Sequence, residues 1–219
     1  MQGSPGFSDR LTLSGLPLND VSIRKMTLVP KIAFFGGTFD PIHQGHLEIA
    51  QKAVDKLGLE RVIFFPCRRS PHKPDAPQAK DIDRLEMLKL AIENSPWAEV
   101  SDYELKREPP SFTWDTIEYF KRQLGESVAL FLIIGFDQWE KLSSWKNIEM
   151  LARDLHFIVV GRSQQPMPRK GFKAHFIEGN HPASASEIRK RIRKGLTNQW
   201  LSDKVAAYIG EKDLYSPVS

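Results

Sequence analysis

Two histidines three residues apart, His43 and His46, close the string G-G-T-F-D-P-I-H-Q-G-H that begins at Gly36. The apolar run Lys31–Phe35 precedes the string, and the amphipathic stretch Leu47–Leu57 follows it. This order predicts a strand, a tight turn and a helix start. Two glycines in such a turn let backbone approach a bulky anion, and the helix directs its N–H groups and positive dipole end towards it. Imidazoles at that end donate hydrogen bonds to phosphate oxygens, and they carry positive charge when a phosphate raises their pKa. The segment therefore predicts nucleotide chemistry. A glycine pair alone would be a weak signal, but this spacing after a strand is not. The dinucleotide fingerprint G-x-G-x-x-G and the P-loop pattern G-x-x-x-x-G-K-[ST] are both absent, which counts against a hydride-transfer enzyme and a P-loop NTPase.

The elements that must position these residues alternate in type. Gly58 closes the first helix, and Arg61–Cys67 reads as a short buried strand. The polar, proline-rich segment Arg68–Lys80 interrupts the pattern; so long a break in a compact domain is often functional. Apolar residues then recur at helical spacing through Ile82–Ile92. Glu99–Glu104 is expected as a strand, Thr113–Leu124 as a helix and Val128–Gly135 as the central strand. Trp139–Leu151 is expected as one helix, His156–Val160 and Ala174–Ile177 as strands, and Ser184–Lys194 and Ser202–Ile209 as helices. Such alternation implies an α/β fold with a doubly wound, Rossmann-like parallel sheet. Ligands of these sheets lie beyond the carboxyl ends of the strands, where Gly36–Asp40, Gly135–Asp137 and Gly161–Arg162 fall.

Composition sets outer bounds. A chain of 219 residues with 41% apolar and 26% charged residues suits one soluble globular domain, expected over 31–219, behind an extension, 1–30, without sustained periodicity. Met26 is a second candidate start of translation. No run reaches the roughly 20 apolar residues that span a bilayer. The single cysteine, Cys67, allows no intramolecular disulfide and is expected as a buried, inert thiol; a cytoplasmic enzyme fits. The net charge of +4 is concentrated in Arg189, Lys190, Arg191, Arg193 and Lys194, which read either as a solvated helix face or as a patch for polyphosphate or nucleic acid.

The Gly36–His46 string resembles the signature of the nucleotidylyltransferase superfamily, which carries T/H-x-G-H after its first strand. Four further stretches resemble, in order, the bacterial nicotinate-nucleotide adenylyltransferase family: S-P-H-K at Ser70–Lys73, P-S-F-T-W-D-T at Pro110–Thr116, I-I-G-F-D-Q-W-E-K-L-S-S-W-K at Ile133–Lys146 and S-A-S-E-I-R at Ser184–Arg189. The resemblance covers the chain from about residue 31. It implies transfer of the adenylyl group of ATP, with Mg²⁺, to nicotinate mononucleotide, giving nicotinate adenine dinucleotide and pyrophosphate in NAD biosynthesis. In such a reaction the attacking 5′-phosphate is already an anion, so the protein must supply alignment and charge stabilisation rather than a strong base. A covalent histidyl-AMP intermediate is the competing route.

The resemblance assigns His43, His46, Lys73 and Arg189 to the reacting phosphates as catalytic residues. It assigns Gly36, Gly37, Thr38, Phe39, Gly135, Asp137, Ser184, Ser186 and Ile188 to ATP, and Phe112, Thr113 and Trp145 to the nicotinate nucleotide. Read alone, Lys73 is a solvated loop charge, Trp145 a core residue and Asp137 either a helix cap or a ribose partner; Ser184 and Ser186 can cap the next helix. No protein metal ligand is expected. The usual S-S-T-x-I-R element carries Ala185 and Ser186 here, and His181 and Pro182 also depart from the common approach to it. A lost hydrogen bond to a charged group costs roughly 1.5–3 kcal/mol, so activity should survive with weaker ATP binding. Rival acceptors are nicotinamide mononucleotide and phosphopantetheine. A nucleotide sensor, a nucleic-acid binder and a class I aminoacyl-tRNA synthetase fragment are the alternatives of other kinds. The expected partners are the two nucleotides, with neither nucleic acid nor membrane; a homo-oligomer is left open.

Overall fold

A computed structural model of the protein describes residues 29–69, 76–162 and 166–217. The strands are β1 (Lys31–Gly37), β2 (Arg61–Pro66), β3 (Ala98–Val100), β4 (Ala129–Gly135), β5 (Leu155–Gly161) and β6 (Lys173–Glu178). They form one sheet in the order β3-β2-β1-β4-β5-β6, and every neighbouring pair is parallel. The connections carry α1 (Gln44–Leu57), α2 (Asp81–Ile92), α3 (Thr113–Leu124), α4 (Phe136–Glu140) and α5 (Ile148–Asp154), and α6 (Ala185–Arg193) and α7 (Asp203–Glu211) follow the sheet. This is the doubly wound fold that the alternation predicts.

Period-two alternation along the strands sorts the core into two layers. Ala33 and Phe35 of β1, with Phe131 and Ile133 of β4, meet Ala50 and Ala53 of α1, Met87 and Leu88 of α2, Ile188 of α6 and Val205 of α7. Ile32 and Phe34, with Leu130, Leu132 and Ile134, face the other way onto Ile117 of α3, Trp139 of α4 and Leu151 of α5. Strand order reverses between β1 and β4, which run side by side with Phe35 opposite Ile133. The crevice beyond their carboxyl ends is where a doubly wound sheet binds ligands.

Two expected elements differ. The strand over Glu99–Glu104 stops at Val100: Ser101 Oγ accepts from the Tyr103 N–H at 3.2 Å and turns the chain into a 3-10 helix, Tyr103–Lys106. Trp139–Leu151 is not one helix. Helix α4 gives way to a 3-10 turn at Leu142–Ser144, Trp145 is extended, and Asn147 is left-handed with φ of 53° before α5 begins. Asparagine tolerates that region better than most residues, so the break falls where its side chain allows it. Residues 1–28, including Met26, and Ser70–Lys73 lie outside the described residues, as does most of the expected extension. Among the described residues no helix is long and apolar enough to cross a membrane.

Candidate active site

At the end of β1 the chain crosses the strand ends through a crowded turn. A Cβ on Gly36 would stand 2.5 Å from Phe65 Cε2, and one on Gly37 2.9 Å from Phe39 Cζ. Phe39 holds a positive φ of 48°, an uncommon state for a bulky residue, with its ring packed edge-on to Phe35 and to the His46 imidazole. The turn is thus set by aromatic packing as much as by its glycines.

His43 is the N-cap residue of α1 and His46 lies in its first turn. The His43 backbone N–H donates to His46 Nδ1 at 3.3 Å, which places the proton of a neutral His46 ring on Nε2. The two rings stack with centroids 3.7 Å apart. His43 is 8% exposed, and burial, followed by the nearby charge of His181, pushes its pKa down to about 4. His43 is therefore a neutral imidazole near pH 7, and its Nδ1 is buried without a partner among the described residues. Gly45 is what lets His181 come so close: a Cβ there would lie 3.1 Å from His43 Nδ1 and 3.2 Å from His181 Nδ1. Parts of the helix start are committed within the protein. The Gln44 N–H donates to the Trp200 carbonyl, and the His46 N–H to the His43 carbonyl.

Arg189 reaches the same place from α6. Its Nη1 donates to the Asp40 carbonyl at 2.6 Å and lies 3.8 Å from the Asp40 carboxylate. That carboxylate is buried and accepts from the N–H groups of Gln78 and Ala79 and from the Tyr215 hydroxyl, at 2.8, 3.0 and 2.8 Å. Burial, with this carboxylate beside it, holds the Tyr215 phenol protonated far above its ordinary range. Arg84, fully buried, braces the other side by donating to the Thr38 carbonyl and to Asp81, both at 2.6 Å.

Two cavities adjoin over these strand ends, sharing a floor of Gly36–Thr38, Ile133, Ile134 and Gln138. One is walled by Phe39, His46, Gly135, Asp137, Ala185 and Arg189. The other is walled by Phe112, Thr113, Trp145 and Lys146, with Cys67 and Glu104 at its back. The first has donors of the kind that suit a phosphate, His46 and Arg189; the second has aromatic walls and a cation. Lys146 Nζ sits 4.9 Å from the Phe112 ring centre and is paired with Asp115 at 3.0 Å.

The sequence-predicted residues are distributed unevenly. His46, Arg189, Gly135, Asp137 and Phe39 meet in the first cavity, and Phe112, Thr113 and Trp145 in the second. His43 lies behind His46. Asp137 is in the first turn of α4 but does not cap it; Gly135 holds that position. Ser184 caps α6, accepting from the Glu187 N–H, and Ser186 Oγ lies 3.3 Å from it; Ala185 instead faces the cleft. Ile188, expected at ATP, has its side chain fully buried in the core, its N–H on the Ser184 carbonyl and its own carbonyl on Asn198. A side chain in register with the apolar face of α6 turns to the sheet, which the motif by itself could not reveal. Lys73 lies outside the described residues. Cys67 is buried as expected.

Asp40, Arg84, Glu104 and Lys146 were not legible as site residues. Asp40 and Lys146 lie inside quoted motifs, yet nothing local marks their partners, and Glu104 was hidden in an expected strand.

Comparison with known proteins adds independent findings. The cytidylyltransferase-like family model matches residues 34–191. A protein of Opitutus terrae named as a probable nicotinate-nucleotide adenylyltransferase is 37% identical over 193 residues, covering 85% of this chain and 98% of its own. One of the same name from Methylacidiphilum infernorum is 38% identical over 200 residues, covering 88% and 96%. Among solved structures, Plasmodium falciparum nicotinic acid mononucleotide adenylyltransferase complexed with NaAD superposes with a TM-score of 0.70 at 22% identity, covering 85% of this chain and 97% of that one. The same protein complexed with APC gives 0.68. At that identity the likeness speaks for the fold.

Proposed function

From the premise that this chain belongs to the cytidylyltransferase-like family, and within it to the nicotinate-nucleotide adenylyltransferases, we propose that it transfers the adenylyl group of ATP to nicotinate mononucleotide, releasing pyrophosphate. The observation that carries this reading is the pair of cavities on one floor, polyphosphate donors in one and an aromatic, cationic wall in the other. Two nucleotides laid across that floor would bring their phosphates together over Gly36–Thr38.

An oxygen of the mononucleotide's 5′-phosphate attacks the α-phosphorus of ATP; a P–O bond forms as the bond to the β-phosphate oxygen breaks, and pyrophosphate departs with the electron pair. No proton has to be removed from the nucleophile, so this chain's residues act by placement and by charge. His46 donates from Nε2 to a phosphate oxygen. Arg189, aimed in advance by the Asp40 carbonyl, neutralises charge on the triphosphate without reorganising at the moment of reaction. His43, neutral and buried, fixes the His46 ring through its backbone N–H and the stacked contact; it gains a proton only if an anion arrives close enough to offset its burial. Lys73 would bring a further cation to the same phosphates. Asp137 accepts from ribose hydroxyls. Thr113, with the Asp115-paired Lys146 beside it, favours a carboxylate on the pyridine ring, and Trp145 and Phe112 offer that ring an aromatic lining.

Mg²⁺ enters with ATP as part of the substrate, held by phosphate oxygens and water. Of the carboxylates nearby, Asp40 is already engaged by three donors.

The test is pyrophosphate release by the full chain with ATP and Mg²⁺, with nicotinate and nicotinamide mononucleotides offered in parallel. Turnover on the acid, exceeding that on the amide, is expected. Turnover on the amide alone would overturn the acceptor. Release from neither, with salt-dependent binding to nucleic acid, would overturn the reaction.

A further inference from the structure

The wall of the second cavity formed by Phe112 and Thr113 belongs to a stretch that leads straight into α3, and what fastens it is a buried carboxyl. Glu104 is 4% exposed. Its Oε1 accepts a short hydrogen bond from Thr116 Oγ1, and Ser111 lines the same two cavities beside it. Ser111 and Thr116 bracket Phe112 and Thr113. Glu104 itself comes from the 3-10 turn after β3, so the contact ties a distant edge of the sheet to this wall. The carboxyl also lies between two cavities: it backs the one holding Trp145, and a polar hollow behind it is lined by Arg107, Glu108, Asp115 and Lys146.

We propose that Glu104 is a positioning residue for the pyridine nucleotide: by holding Thr116 from behind, next to Ser111, its carboxylate keeps the Phe112–Thr113 wall at the spacing the pyridine ring requires, and leaves the ATP side unaffected. This rests on the assignment of the second cavity to the pyridine nucleotide. A carboxylate accepts strongly from the Thr116 hydroxyl, whereas a protonated carboxyl turns one of its oxygens into a donor and weakens the hold. A buried acid in a cleft, with no ion pair among the described residues, is an unusual thing for a fold to keep on structural grounds alone.

Charge on Glu104 responds to its surroundings. Burial raises the carboxyl to about 6, against the lowering effects of Thr116, Ser111 and Arg107, while Asp115 adds to the rise. Among the described residues, Glu108 and Lys146 are the other charged groups that line the hollow. Lys146 is paired to Asp115 at 3.0 Å. Acidification below about pH 6 should therefore loosen the wall.

The experiment measures nicotinate mononucleotide and ATP binding separately by calorimetry, and KM for each in pyrophosphate release, on wild type, Glu104→Gln, Glu104→Ala and Thr116→Val. Circular dichroism checks folding. The expected result is a rise of roughly tenfold or more in Kd and KM for the pyridine nucleotide in Glu104→Ala and Thr116→Val, with ATP constants within about twofold of wild type. Glu104→Gln retains an acceptor oxygen and should recover most of the affinity. It should also lose the weakening of pyridine-nucleotide affinity expected of wild type between pH 7 and 5. Equal losses for both nucleotides, no loss for either, or an unchanged pH profile in Glu104→Gln would overturn the proposal. If Glu104→Ala fails to fold, Thr116→Val and Glu104→Gln decide it alone. A wild-type protein that binds neither nucleotide overturns the functional reading, and this proposal falls with it.

Discussion

Asp40→Ala tests whether the turn after β1 is braced as its contacts imply. The residue is 5% exposed and its carboxylate accepts from three donors: the Gln78 and Ala79 N–H groups and the Tyr215 hydroxyl. Ala79 and Tyr215 are themselves buried. Removing the acceptor leaves two donors with no route to water, each costing about 1–3 kcal/mol, while Gln78 recovers solvent at little net loss. The expected cost is about 3–5 kcal/mol, a large part of a typical 5–15 kcal/mol domain stability. Tyr215→Phe removes one donor together with its need for an acceptor and should cost about 1 kcal/mol. The double variant should therefore cost less than the sum of the singles, with a coupling of about 1–2 kcal/mol, because the orphaned hydroxyl is gone. Urea unfolding followed by tryptophan fluorescence reads all three as midpoint shifts at constant slope. Function should follow: with the Asp40 segment loosened, Arg189 loses the carbonyl that aims it, and KM for ATP should rise more than KM for the pyridine nucleotide. A cost below about 1 kcal/mol for Asp40→Ala, with additive singles, would refute the bracing argument.

Three other outcomes follow from the same geometry. His43 binds fewer protons folded than unfolded between its depressed value of about 4 and the ordinary 6.5, so its contribution to stability is complete above pH 6.5 and is lost as pH falls through that window. Replacing it with Gln should flatten the acid limb of the stability profile. In nuclear magnetic resonance titrations the ring should stay neutral below pH 5 without nucleotide and shift upward with ATP; a free-protein midpoint at or above 6.5 would contradict its burial. His46→Ala should keep the fold but lower turnover by about 10²–10³, the loss typical of a preorganised donor to a reacting oxyanion, and near-normal turnover in a folded variant would remove His46 from the mechanism. Gly36→Ala places a methyl 2.5 Å from the Phe65 ring and should destabilise the protein by about 1–3 kcal/mol, which Phe65→Leu in the same chain should partly relieve, as thermal unfolding would reveal.

Much of the architecture is legible in the chain because its signals are local. The strands β1, β2, β4 and β5 are near-continuous apolar runs, and Thr113–Leu124 is a helix over the predicted span. The errors fall where local pattern and tertiary placement disagree. Trp139 and Leu151 both have apolar faces to bury, so their spacing reads as one helix, yet the left-handed Asn147 splits it and lets Trp145 line the cleft. Glu104 follows an apolar-alternating edge and reads as strand, but the Ser101 turn rolls it into the interior.

The residue types at the candidate site, and the order in which they occur, were set by sequence alone: glycines and histidines after a first strand, an arginine on a late helix, an aromatic pair between. That much is readable because a motif records which groups a backbone turn can bring to a phosphate. Which groups support them was decided only by the tertiary structure. Asp40 finds Tyr215 at 2.8 Å across 175 positions, Arg189 finds the Asp40 carbonyl across 149, and His181 comes beside His43 because Gly45 leaves room. No periodicity carries such pairings, since they depend on where the sheet reverses its strand order. The same is true of charge: the neutral state of His43 and the raised carboxyl of Glu104 come from burial, which the chain acquires only on folding.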